Sequence, residues 1–366
     1  MAFAVTRNTD LRSDVDRTAI LAEPGFGTHF TDHMVRIDWT AASGWGEGQV
    51  VPYGPLTIDP ACAVLHYGQE IFEGLKAYHQ PDGSVAAFRP QANAARMQRS
   101  ARRMAMAELP TELFVESLAA LVQADRSWVP ETIDKSLYLR PFMIATQTGL
   151  GVNAPSQAYT YLLIASPAGS YFKGGVKPVT VWLSTDYTRA APGGTGEVKC
   201  GGNYAASFAA TAQAAEQGCD QVVWLDAAEH RWVEEMGSNN LGFVYGSGPG
   251  ARIVTPALTG TLLPGITRDA LLQVAQDLGY AAEEGKVSVE EWRDGCASGA
   301  ITEVFGCGTA AVVTPIGEVR GVDGSFSVGD GAAGGAGPVT TALRDRLVGI
   351  QTGTQPDPHG WMHTLT

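Results

Sequence analysis

Only six of the 366 residues are lysine: Lys76, Lys135, Lys173, Lys177, Lys199 and Lys286. Lys199 differs in its setting, Gly193-Gly194-Thr195-Gly196-Glu197-Val198-Lys199-Cys200-Gly201-Gly202-Asn203-Tyr204. Glycines on both sides allow the backbone to approach a ligand closely. A lysine held among apolar and cationic groups loses its proton and becomes an amine able to attack a carbonyl. Taken alone, Lys199 reads more readily as a solvated lysine in a flexible loop.

Other residues supply the groups such an amine would need. Gly265-Ile266-Thr267-Arg268-Asp269 and Gly306-Cys307-Gly308-Thr309-Ala310 are glycine-containing turns whose backbone N–H groups suit a phosphate. Arg96 lies in an arginine-rich helical stretch with Arg99, Arg102 and Arg103, one face of which would reach an anion. Glu235, in Val233-Glu234-Glu235-Met236-Gly237-Ser238, suits a hydrogen bond to a ring nitrogen, and Glu234 competes for that role. The seven histidines give no metal spacing beyond the isolated pairs His29/His33 and His359/His363. Five widely spaced cysteines lack any CxxC pair and read as reduced thiols, with Cys200 a small apolar residue rather than a redox group.

These residues need two domains to position them, at roughly 150 residues per domain. The pattern predicts a strand at Met34–Trp39 and a hairpin joining Leu75–His79 to Val85–Arg89 through Pro81-Asp82-Gly83. Helices follow at Gln91–Ala107 and Glu112–Asp125, then strands at Tyr138–Ile144 and Tyr159–Ala165. A Gly- and Pro-rich stretch from Ala168 to Pro192, with a strand at Val179–Ser184, marks the domain connection. Beyond it come a helix at Tyr204–Gln217 closed by Gly218, and strands near Val222–Leu225, Trp232–Glu235, Gly242–Tyr245 and Arg252–Thr255. A helix capped by Thr267 follows, then one opened by a Ser288/Glu291 capping box. Gly321–Gly337 reads as a mobile surface loop. The expected boundaries are 1–172 for a small N-terminal α/β domain, 173–186 for the connection and 187–366 for a larger C-terminal domain.

The formal charge of −13 argues against nucleic acid, and no apolar run approaches a membrane span. The opening residues lack the unbroken apolar stretch of a secretory signal, which favours the cytoplasm.

Read in order, the segments resemble the branched-chain aminotransferases, fold-type IV pyridoxal-phosphate enzymes. The resemblance runs from about Phe26 to about Arg346. It rests on Phe30-Thr31-Asp32-His33-Met34, Tyr67-Gly68-Gln69-Glu70-Ile71-Phe72-Glu73-Gly74-Leu75-Lys76-Ala77, Phe88-Arg89-Pro90 through Arg96-Met97, and Tyr138-Leu139-Arg140-Pro141. It continues with Lys199 to Tyr204, Glu235-Met236-Gly237-Ser238, Leu263-Pro264-Gly265-Ile266-Thr267-Arg268 and Phe305 to Ala310.

The resemblance implies an α/β (α+β) fold, its larger domain built on a β-barrel-like core and its active site at the domain interface. It implies pyridoxal 5′-phosphate on Lys199 as Schiff-base lysine, Tyr204 at the ring oxygen and Glu235 at the ring nitrogen. Arg96, Ile266, Thr267 and Thr309 match the phosphate positions, with Ser238 beside them. The substrate carboxylate falls to Tyr67 of the other subunit of a homodimer and to the turn of Thr309 and Ala310. Phe26, Phe72, Tyr138, Val152, Tyr171 and Ser238 would line the side-chain pocket, and Arg140 would take the distal carboxylate of glutamate. The implied reaction is ping-pong transfer of an amino group from leucine, isoleucine or valine to 2-oxoglutarate. Ala311 and Thr314 stand where animal members carry a CxxC pair, so the redox switch of that pair is not expected. Two rivals remain: a D-amino-acid aminotransferase or aminodeoxychorismate lyase on the same fold, and a non-catalytic protein that binds a phosphate ligand.

Overall fold

A computed structural model describes residues 3–169 and 176–366. The chain divides into two compact units, one of Met1–Tyr171, Val198–Gly201 and Ile350–Thr366, the other of Phe172–Glu197 and Gly202–Gly349. The short piece that carries Lys199 and the C-terminal tail therefore belong with the first unit.

The first unit is a ten-stranded, largely antiparallel sheet with helices packed on it. Its centre is the pair Ser136–Ala145 and Ala158–Ala168, flanked by His33–Thr40 on one side and by Leu75–His79 and Val85–Phe88 on the other. The predicted hairpin is present, and the C-terminal strand Met362–Thr364 pairs with its outer strand. Helices Pro90–Arg103 and Thr111–Ala124 pack Met97, Ala101, Phe114, Leu118 and Leu121 into the same core as Leu137, Leu139, Tyr161 and Leu163. Burying each Leu, Phe or Met side chain among these stabilises the fold by about 1.5–3 kcal/mol. The first of these helices stops at Arg103, short of the expected Ala107, because Ala105 takes a left-handed conformation and Met106 N–H turns back to Ala101 O.

The second unit contains a closed six-stranded barrel. Val179–Leu183 pairs with Gln221–Leu225, which pairs with Val233–Met236, which pairs with Asn239–Tyr245. The last of these pairs with Ile301–Gly308, which pairs with Val312–Gly321, and Val312–Gly321 returns to Val179–Leu183. Closure leaves no open edge among these six strands. Leu241, Phe243, Val304, Ile316 and Val319 fill its core with Trp292 from the helix Val289–Ser298. The Ser288 cap is as expected, with its hydroxyl accepting from Glu291 N–H at 3.1 Å.

Three local expectations are corrected. The helix expected at Tyr204–Gln217 is two, Gly201–Ala205 and Phe208–Glu216, because the Ser207 hydroxyl donates to Tyr204 O at 2.6 Å and competes for the helical carbonyl. The next helix, Ile266–Asp277, is capped by Gly265 in an extended conformation, while Thr267 lies buried inside the first turn. The stretch Gly321–Gly337 contains a strand, Gly324–Ser327, that folds back on Val312–Gly321 through a tight turn. Among the described residues no helix is long and apolar enough to cross a membrane, and no His, Cys, Asp or Glu cluster suits a metal ion.

Candidate active site

In the first unit, Lys199 is anchored by its own backbone. Lys199 O accepts from Phe72 N–H at 2.9 Å, and Lys199 N–H donates to the Ser100 hydroxyl at 3.2 Å. Gly201 N–H donates to the Glu70 carboxylate. These bonds hold the lysine segment against the strand Glu70–Phe72 and one turn of the helix beyond Arg96. Its amine lies 4.8 Å from the centre of the Phe72 ring. Burial, helped by the positive charge of Arg96, pulls the Lys199 amine down from 10.5 to about 8, against the opposing charge of Glu73. A substantial fraction of a nucleophilic amine is therefore present near neutral pH.

Arg96 is buried and gripped by Glu73, Nε to Oε1 at 2.7 Å and Nη2 to Oε2 at 2.8 Å, with Asn93 Nδ2 donating to Oε2 at 2.8 Å. Burial would raise the Glu73 carboxyl, but Arg96, Lys199 and Asn93 outweigh it and hold the group below the usual carboxylate range. The bidentate fork fixes Arg96 as a directed cation rather than a mobile one.

Around Lys199 the structure gathers four further residues singled out in the sequence. Phe26 meets Tyr138 edge to face at 5.0 Å, and Arg140 lies 4.9 Å from the Phe72 ring and 5.3 Å from the Tyr138 ring. Arg140 Nη2 donates to the Tyr138 hydroxyl at 3.1 Å, while its buried Nε has no hydrogen-bond partner among the described residues. An unsatisfied buried donor on a guanidinium is costly and points to a partner supplied by a ligand. Gly74 leaves room for the Tyr138 phenol, since a Cβ there would lie 2.0 Å from its hydroxyl oxygen and force it aside. Tyr67 and Val152 lie apart from this group, 44% and 70% exposed, and Tyr67 OH donates to Leu150 O at 2.6 Å. Tyr171 falls outside the described residues.

In the second unit, strand alternation separates the two neighbouring glutamates. Glu235 is 1% exposed, and its Oε1 accepts from Leu263 N–H at 2.6 Å and Asn240 Nδ2 at 3.3 Å. Its Oε2 faces Arg189 Nε at 3.1 Å. Glu234 instead takes the Thr261 hydroxyl, and burial raises its carboxyl. Ser238, exposed, sits with the half-buried Gly237 in the two-residue turn of the hairpin that pairs Glu235 with Asn240. Asn240 also pairs with Cys307, so the strand leading to the turn of Thr309 and Ala310 runs beside the Glu235 hairpin.

Leu263 leads two residues later to Gly265, the cap of helix Ile266–Asp277. The backbone N–H groups of Ile266 and Thr267 open that helix and have the polarity an anion requires. Tyr204 lies half-buried in the helix Gly201–Ala205. The residues that hold these groups, Arg189, Asn240, Glu73, Glu70 and Ser100, were not singled out from the sequence. Glu70 and Glu73 did lie inside a motif quoted for the resemblance, and Arg189 closely precedes the Pro192-Gly193-Gly194 turn.

The first unit thus offers a buried amine of lowered proton affinity, and the second, taken by itself, a buried carboxylate that accepts two N–H bonds and faces a guanidinium, with a helix start of the polarity that suits phosphate. Comparison with known proteins agrees. The profile of the family Amino-transferase class IV matches residues 70–319. The branched-chain-amino-acid aminotransferase of Mycolicibacterium smegmatis is 62% identical over 366 residues, covering 100% of this chain and 98% of that protein. The crystal structure of the Escherichia coli branched-chain amino acid aminotransferase superposes with a TM-score of 0.73 at 27% identity, over 90% of this chain and 99% of that one. A second solved branched-chain amino acid aminotransferase, complexed with N-(5′-phosphopyridoxyl)-L-glutamate, gives a TM-score of 0.71 at 28% identity, over 90% and 98%. The chain therefore belongs to the class IV aminotransferases and, within them, to the branched-chain-amino-acid aminotransferases.

Proposed function

We propose that the chain transfers the amino group of leucine, isoleucine or valine to 2-oxoglutarate in two half-reactions, with Lys199 as the working amine. Its cofactor is pyridoxal 5′-phosphate, in keeping with the phosphopyridoxyl ligand of the solved relative. The observation that carries the reading is the buried Lys199 amine, lowered to about 8 and flanked by Phe72 and Arg140.

When bound, the cofactor supplies an electron sink for the charge left as the substrate loses its α-proton. Lys199 Nζ would accept that proton and hold it for return, a role that suits a proton affinity near the working pH. Glu235 takes the ring nitrogen and Tyr204 the ring oxygen. Ile266 and Thr267 at their helix start, Thr309 at its turn and Arg96 in its Glu73 fork take the phosphate, with Ser238 beside them.

The substrate side chain packs on Phe26, Phe72 and Tyr138 when it is branched and apolar. When the substrate is glutamate, the distal carboxylate meets Arg140 and satisfies its Nε. One pocket thereby serves both half-reactions. The α-carboxylate is held by the backbone at Thr309 and Ala310 and by Tyr67 from a second copy of the chain. The exposure of Tyr67 together with Leu150 and Val152 supports a homodimer, since this apolar group is left uncovered in one copy. Domain boundaries at 1–172, 173–186 and 187–366, with Val198–Gly201 and the C-terminal tail returning to the first unit, complete the reading, and so does a cytoplasmic location, where amino acids and 2-oxo acids are exchanged.

The test follows the purified enzyme through each half-reaction by absorbance. Leucine, isoleucine and valine should each convert the cofactor to its aminated form, and 2-oxoglutarate should restore it. Response to D-alanine with none to the branched L-amino acids would refute the assignment.

A further inference from the structure

Arg189 bridges three segments of the second unit, those of Glu235, Thr261 and Gly196. Its side chain is 8% exposed. Nε lies 3.1 Å from Glu235 Oε2, and Nη1 donates to Thr261 O at 2.8 Å and to Gly196 O at 3.2 Å. Thr261 lies two residues before Leu263, whose N–H donates to Glu235, and Gly196 lies three before Lys199 in sequence. The Gly196 and Thr261 backbones press together so closely that a Cβ on Gly196 would come within 2.3 Å of Thr261 O. One guanidinium thus joins the carboxylate to two backbone segments.

The chemistry of that carboxylate gives the arrangement a purpose. A carboxylate and a pyridine nitrogen share one proton, and its place depends on which of them holds it more strongly. The proton must stay on the nitrogen if the ring is to draw electrons from the substrate carbon. Two N–H donors on Oε1 and a guanidinium on Oε2 all stabilise the ionised carboxylate and so weaken its hold on the proton.

We propose that Arg189 is a positioning residue that keeps the proton shared with Glu235 on the cofactor's ring nitrogen. The proposal rests on the assignment of Glu235 to that nitrogen. A guanidinium beside a carboxylate lowers its proton affinity by about tenfold to a thousandfold, and losing Arg189 moves the shared proton toward Glu235 by that factor. Lysine would keep the charge but not the planar fork that also reaches two carbonyls. Arg189→Lys should therefore keep the nitrogen protonated while loosening cofactor retention.

The test is the nitrogen-15 resonance of cofactor labelled at the ring nitrogen, measured in wild-type, Arg189→Gln, Arg189→Lys and Glu235→Gln holoenzymes. The expected result is a protonated nitrogen in wild type and Arg189→Lys, and a resonance moved toward the neutral position in Arg189→Gln and Glu235→Gln. If Glu235→Gln moves the resonance and Arg189→Gln does not, Arg189 does not set the proton and the proposal fails alone. If Glu235→Gln leaves it unmoved, the assignment of Glu235 fails and takes the proposal with it. Should Arg189→Gln not fold, a neutral nitrogen in Arg189→Lys would equally overturn the proposal, because the charge is retained there.

Discussion

The lowered proton affinity of Lys199 can be read without any cofactor, by competitive acylation of the apoenzyme. An amine at about 8 is roughly one-tenth neutral at pH 7, whereas one at 10.5 is neutral in about one molecule in 3,000. Lys199 should therefore present about 300 times more reactive amine at pH 7 than an ordinary lysine. Brief acetic anhydride pulses from about pH 6 to about pH 11, read by mass spectrometry, follow each lysine peptide separately. Burial slows reagent access to Lys199 at every pH, so the midpoint of its curve is the quantity to compare. Lys199 acylation should level off just above pH 8, while Lys76, Lys135, Lys173, Lys177 and Lys286 serve as internal comparisons. A Lys199 curve that keeps rising tenfold per pH unit through pH 10 would refute the argument that burial and Arg96 neutralise the amine.

Glu73→Gln removes the carboxylate that grips Arg96 and opposes its effect on Lys199, so the same acylation midpoint should move to lower pH, and thermal unfolding should show a loss of about 3–5 kcal/mol from the broken buried ion pair. Apoenzyme stability should also depend on pH through Lys199. Below about 8 both folded and unfolded states carry its proton, and between about 8 and 10.5 only the unfolded state does, so stability rises with pH across that window. Relative to Lys199→Met, urea titrations should show a gain of about 3 kcal/mol across it; equal pH dependence in the two proteins would exclude the linkage. Arg140→Leu should raise KM for glutamate by about tenfold to a hundredfold, the worth of a lost charge-assisted hydrogen bond, with little change for leucine. Gly74→Ala should impair both substrates together, because its methyl displaces the Tyr138 phenol.

What the sequence made legible follows the range of the interactions involved. Hairpins and caps are local, so Leu75–His79 with Val85–Phe88 and the Ser288 cap were readable from patterns a few residues long. Lys199, Glu235 and Arg140 stood out as candidates because an ordered series of motifs surrounds them. Barrel closure was not derivable from periodicity, since it depends on Val179–Leu183 meeting Val312–Gly321 across more than a hundred residues. Arg189 was hidden for the same reason, with a partner at Thr261, 72 residues away. The alanine-rich run after Tyr204 misled because composition favours one helix, whereas a single Ser207 hydroxyl breaks it. In Gly321–Gly337 the small residues masked a strand whose pairing, Glu318 with Ser327 and Val319 with Phe326, is set by its neighbour.

The attachment of pyridoxal phosphate to Lys199 is tested most directly by borohydride. Purified holoenzyme would be reduced, digested and mapped by mass spectrometry. A phosphopyridoxyl group on the peptide containing Val198-Lys199-Cys200, with bleaching of the visible absorbance, is the predicted result. Label on Lys76, Lys286 or any other lysine, or none at all, would contradict the account.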